Sequence, residues 1–95
     1  MRKMVKASRL IKKLRRIRDI EERKLKRAGR STRYVDGFTS GMNLAINKIA
    51  LELDEDLASA LEKMIKWQEQ KYFPDPKFKK GVIDGLKRAL AEVIE

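Results

Sequence analysis

The stretch Tyr34-Val35-Asp36-Gly37-Phe38-Thr39-Ser40-Gly41-Met42-Asn43-Leu44-Ala45-Ile46-Asn47-Lys48-Ile49 decides the fold. Val35, Phe38, Met42, Ala45 and Ile49, with Leu53 beyond, recur at alternating steps of three and four residues, and Ile46 lies beside them. That spacing is the seam of a buried helix face. The pattern returns 44 residues later: Tyr34, Gly37, Phe38, Gly41, Met42, Ala45, Ile46 and Ile49 align with Phe78, Gly81, Val82, Gly85, Leu86, Ala89, Leu90 and Val93. A glycine inside a helix costs about 1 kcal/mol relative to alanine, so two Gly-x-x-x-Gly pairs need a packing reason. Each pair leaves a flat notch where a second backbone can approach closely. Either the notches face each other within the chain with approximate two-fold symmetry, or one of them receives a partner helix or a second copy. Gly37, Gly41, Gly81 and Gly85 are therefore candidate interaction residues.

Punctuation divides the rest of the chain. Phe73-Pro74-Asp75-Pro76 ends any helix before it, because each proline drives its predecessor out of helical geometry. Asp75 then caps a last helix over 76–94 with Pro76 in its first turn. Upstream, Leu57, Leu61, Met64, Ile65, Gln68 and Tyr72 form a stripe rotated by roughly 90° from that of residues 35–53, which places a break near Asp54. Asp54 is the expected cap, with Glu55 and Asp56 in a first turn that favours acids, and the two helices are predicted at 33–53 and 55–72. Nearer the start, Met4, Ala7, Leu10, Ile11, Leu14, Ile17, Leu25 and Ala28 share an arc of roughly 140°, predicting an amphipathic helix over 3–28. Gly29 is placed to close it in the left-handed conformation, and Ser31 or Thr32 to cap the next. The expected fold is all-α: a small four-helix domain in which residues 1–30 form a basic amphipathic arm and residues 31–95 a three-helix body.

Charge follows the same division. Residues 1–30 hold 14 Lys or Arg and three acids, a net of +11; residues 31–95 hold 10 bases and 11 acids, a net of −1. The formal +10 of the 95-residue chain is thus concentrated in its first third. Three acids cannot neutralise that many cations, so most of them face water or a polyanion. Nucleic acid is the expected partner, DNA or RNA, because neutralising closely spaced phosphates releases counterions. Arg2, Lys6, Arg9, Lys12, Lys13, Arg15, Arg16, Arg23, Lys24, Arg27 and Arg30 are the candidate contacts. The first 30 residues contain no aromatic residue and no Asn or Gln, so base stacking and amide reading of adenine have no basis there. Binding is expected to be backbone-dominated and weakly sequence-specific.

Composition sets the exclusions. Without Cys or His there is no disulfide, no Cys/His zinc site and no Ser-His or Cys-His nucleophile, so neither an enzyme nor a cofactor is expected. No apolar run approaches the roughly 20 residues that cross a bilayer, and an export signal is not apparent, so a soluble intracellular protein is expected. A lipid surface is disfavoured because Phe and Trp are absent from the basic segment. The alternative function is a protein-interaction module: an adaptor, inhibitor or self-assembling subunit. It would use the glycine notch, an off-stripe Trp67, or the basic helix against an acidic partner, or assemble as a homo-oligomer. Tyr72, Phe73 and Phe78 are expected to seal the core at the proline corner.

Overall fold

The computed structural model describes residues 2–51 and 56–94, with backbone alone for residues 2–7. The described chain is four helices: α1 (Arg2–Arg27), α2 (Thr32–Leu51), α3 (Leu57–Gln70) and α4 (Pro76–Ile94). In space, α2 and α4 form the central pair, α1 lies on the outer side of α2, and α3 lies against α4.

The central pair is built on the glycines. A Cβ at Gly37 would fall inside the radius of the Phe78 carbonyl oxygen, and one at Gly41 inside that of Val82. In return, a Cβ at Gly81 would strike the Tyr34 carbonyl, and one at Gly85 that of Phe38. The two notches therefore face each other within one chain. Of the two arrangements that the sequence allows, this is the internal one: all four glycines are buried, and the space above each is filled by the other helix, so Gly37, Gly41, Gly81 and Gly85 offer no open notch to a partner. Around them Phe38, Met42, Ala45, Ile46, Ile49, Val82, Leu86 and Ala89 form one buried cluster, to which α3 adds Leu61 and Ile65. Tyr34 closes one end of the pair, its hydroxyl donating to Asp84 Oδ2 at 2.6 Å.

Burial, then that hydrogen bond, pushes the Tyr34 hydroxyl up to about 12 from its ordinary 10. A raised value favours the neutral form in the folded state. The resulting stability is complete below the unfolded value and is lost as pH climbs through the folded one. Between about pH 10 and 12 the native protein is expected to lose about 2 kcal/mol more than a Tyr34→Phe variant. Parallel denaturant curves at the two pH values measure the difference; identical losses would mean that Tyr34 titrates alike in both states.

The turns hold as the punctuation predicts, with two corrections. Gly29 has φ of 73°. Its N–H donates to Lys26 O at 3.1 Å and that of Arg30 to Leu25 O at 3.1 Å, the paired closure of a left-handed helix end. Asp75 caps α4, accepting from the N–H of Lys77 at 2.9 Å and of Phe78 at 3.4 Å. The cap of α3, however, is Asp56, whose Oδ1 accepts from Ser59 N–H at 3.3 Å. Asp54 and Glu55, expected as cap and first turn, lie outside the described residues, as does Leu53. Tyr72 is the second correction, being 83% exposed. The helix stops at Gln70, and Lys71 takes extended geometry (φ −75°, ψ 140°), which turns Tyr72 off the stripe it would have continued. Phe73 and Phe78 do pack against the core at that corner, with ring centroids 6.1 Å apart.

The first helix is docked, not a free arm. Leu14 is fully buried in the common core, and Leu10, Ile11, Ile17 and Leu25 pack against it. Fully burying one leucine contributes about 2 kcal/mol, so five such contacts, four of them partial, hold α1 in place. Ala28, expected on the same arc, is exposed because the helix has already closed. Among the described residues, no helix is long and apolar enough to cross a membrane.

Candidate nucleic-acid interface

With its apolar face turned inward, α1 must present its charges along two edges and an outer face. On the edge toward α4, Lys13 Nζ lies 2.8 Å from Glu92 Oε1 and Arg88 bonds the other oxygen of the same carboxylate. Arg88 also reaches Glu21 of α1 at 3.5 Å. Lys13, and then Arg88, hold the Glu92 carboxyl below the usual carboxylate range. On the edge toward α2, Arg18 donates to Asn43 Oδ1 at 2.8 Å and pairs with Asp19 at 3.1 Å. Lys26 pairs with Glu22 one turn away, at 3.3 Å.

These contacts use every acid of the first thirty residues: Asp19, Glu21 and Glu22 are each taken. Among the described residues, Arg9, Lys12, Arg15, Arg16, Arg23, Lys24 and Arg27 make no ion pair, and all seven are exposed. At 100° per residue, Arg9, Lys12, Arg16, Arg23 and Arg27 fall within about 60° of one another on the side opposite Leu14. They form a ridge about 27 Å long at 1.5 Å per residue, which equals the rise of about eight base pairs of B-DNA. Ile20, 42% exposed, lies beside the gap in the ridge between Arg16 and Arg23.

The candidates named from sequence are thus sorted into groups. Arg9, Lys12, Arg16, Arg23 and Arg27 stand together on the outer face, with Arg15 and Lys24 flanking them. Lys13 is instead held by Glu92, because the turn of α1 that buries Leu14 lays its neighbour against α4. Arg30 lies beyond the helix with its guanidinium 4.0 Å from the Tyr34 ring centroid, so one face of it is already stacked. The side chains of Arg2 and Lys6 lie outside the described set.

A second exposed feature was only partly visible in the sequence. Trp67 is 60% exposed and lines a groove of about 460 Å³ where α2, α3 and the start of α4 meet; Asn43, Asn47, Gln68 and Lys71 give it polar groups, and Leu44, Phe73, Phe78 and Val82 an apolar floor. Asn43 and Asn47 are one turn apart, as are Trp67 and Lys71, and that spacing was the available signal. What sequence could not supply is that the two pairs, on different helices, share one groove. Comparison with protein-family models, with curated proteins and with solved structures returns no match for this chain.

Proposed function

We propose that this protein binds nucleic acid without catalysis, through phosphate contacts made by the outer face of α1. The observation that supports this reading is the cluster of exposed cations on α1 with no partner among the described carboxylates, carried on a helix whose opposite face is fixed in the core. Such a surface meets a polyanion with its charges already arrayed, so binding costs little ordering of the backbone. Phosphates are its natural complement, and neutralising them is independent of sequence.

The protein-interaction alternative loses one of its supports, since the glycine notch is filled from within the chain. An acidic protein laid against α1 remains its other form and appears as an outcome of the same test. Titration of a fluorescent duplex, DNA and RNA in turn, is done at low and at near-physiological salt. If about 5 to 7 side chains reach phosphates, log affinity falls with log salt at a slope of about −4 to −6. Failure to bind at low salt would remove the nucleic-acid reading and leave the acidic protein.

A further inference from the structure

The groove bounded by α2, α3 and the start of α4 gathers most of the carboxamides of the chain. Three of the four carboxamide side chains in the entire chain, Asn43, Asn47 and Gln68, line it together with the only tryptophan, and no carboxylate does. Lys71 Nζ stands 5.0 Å from the Trp67 ring centroid, and Lys63 lines a neighbouring pocket with the same tryptophan. The groove adjoins the basic helix, because Asn43, which lines it, accepts a hydrogen bond from Arg18 of α1. At about 460 Å³ it falls within the range of small-molecule and base-sized sites.

We propose that this groove takes an unpaired nucleobase stacked on Trp67, so that the preferred ligand is a duplex continued by a single strand. The proposal rests on the nucleic-acid reading of α1 and adds to it the class of nucleic acid recognised. Each component answers one need of such a ligand. An indole offers a stacking face to any base. A carboxamide presents the adjacent donor and acceptor that match a base edge, adenine above all. Asn47 is exposed and suited to that role, whereas the Oδ1 of Asn43 is already engaged by Arg18. Lys63 and Lys71 supply the charge for the flanking phosphates. An acidic amphipathic peptide is the competing occupant on charge alone. Leu44, Phe73, Phe78 and Val82 line the groove as well and would suit either occupant. What favours the base is the exposed Asn47 amide beside the Trp67 ring, a donor-acceptor pair next to a stacking face that an apolar helix face would leave unused.

Trp67 is the sole tryptophan, so the emission reports this one position. Five probes separate the outcomes: oligo(dA), a blunt duplex, the same duplex with a single-stranded adenine extension, inorganic polyphosphate and an acidic helical peptide. Anisotropy reports binding and Trp67 emission reports stacking. Oligo(dA) and the extended duplex are expected to quench the emission, while the blunt duplex and polyphosphate bind without quenching. Trp67→Ala is expected to weaken binding of the extended duplex by roughly 5- to 100-fold and to leave the blunt duplex unchanged, with Trp67→Phe keeping most of the affinity. Circular dichroism of both variants confirms that the exposed side chain is not needed for folding. If the two duplexes bind equally and emission does not change, the groove proposal fails while the reading of α1 stands. If no oligonucleotide binds at low salt, both fail. Equal quenching by polyphosphate would show a charge effect without stacking and overturn the proposal, as would quenching by an acidic helical peptide where oligo(dA) has none.

Discussion

Gly41→Ala is expected to destabilise the protein by about 3 kcal/mol, although the same change at an ordinary helical glycine stabilises by about 1 kcal/mol. The sign is what matters. A Cβ at Gly41 would overlap the Val82 carbonyl oxygen and stand 3.1 Å from the Leu86 nitrogen. Both are backbone atoms, so no side chain can rotate away and α2 and α4 would have to separate along their whole contact. Gly85 is the symmetric case, with Met42 nitrogen 3.0 Å from its would-be Cβ. Against a total stability of about 5–15 kcal/mol for a domain of this kind, leucine at either position is expected to unfold the chain outright. Gly29 supplies the contrast, since nothing lies within 4 Å and only its φ of 73° opposes a side chain. Gly29→Ala should cost about 1 kcal/mol from backbone strain alone. Urea unfolding measures these variants; a gain in stability for Gly41→Ala would mean that α2 and α4 are not in contact.

The second large effect concerns binding and should leave the fold alone. Replacing Arg9, Lys12, Arg16, Arg23 and Arg27 together by alanine lowers the formal charge from +10 to +5 without touching a buried atom or an ion pair among the described residues. Alanine is the best helix former, and the loss of like-charge repulsion favours the folded state, so thermal stability is expected to hold or rise. Affinity for a duplex near 0.1 M salt is expected to fall by about 10³- to 10⁵-fold, with the salt slope flattened by about 4 to 5. Anisotropy titrations at several salt concentrations measure both quantities. Binding that survives within about tenfold would place the phosphate contacts elsewhere.

Most of the fold was legible because its determinants are local or periodic. Gly29, Asp75 and Pro76 act within one turn of themselves, and each sits where the residue type requires. The glycine echo located the pair of helices that meet, but not whether they meet within one chain; that depends on whether α3 and its turns can return α4 to α2. The cap of α3 was misplaced because Asp54 and Asp56 carry the same chemistry two residues apart, and only the geometry of Ser59 distinguishes them. Tyr72 leaves the stripe because the helix ends before it, at Gln70, where periodicity alone carries no stop signal.

The candidate site was legible as a sum and not as a surface. Counting charges identified the excess on the first helix but not which cations would be consumed. Lys13 is taken by Glu92 and Arg18 by Asn43, contacts that depend on docking, while Asp19 and the Tyr34 ring engage Arg18 and Arg30 locally. The docking of α1 is hidden from the sequence for a related reason. Leu14 looked like one apolar position among several until α2 supplied its pocket.

The most direct measurement of the central claim is amide chemical-shift mapping of the intact protein during titration with a blunt duplex. Perturbations are expected to concentrate along α1 at Arg9, Lys12, Arg16, Arg23 and Arg27, with α4 and the outer face of α3 unmoved. Perturbations centred on α3 or α4, or none at low salt, would contradict a phosphate-binding role for the outer face of α1.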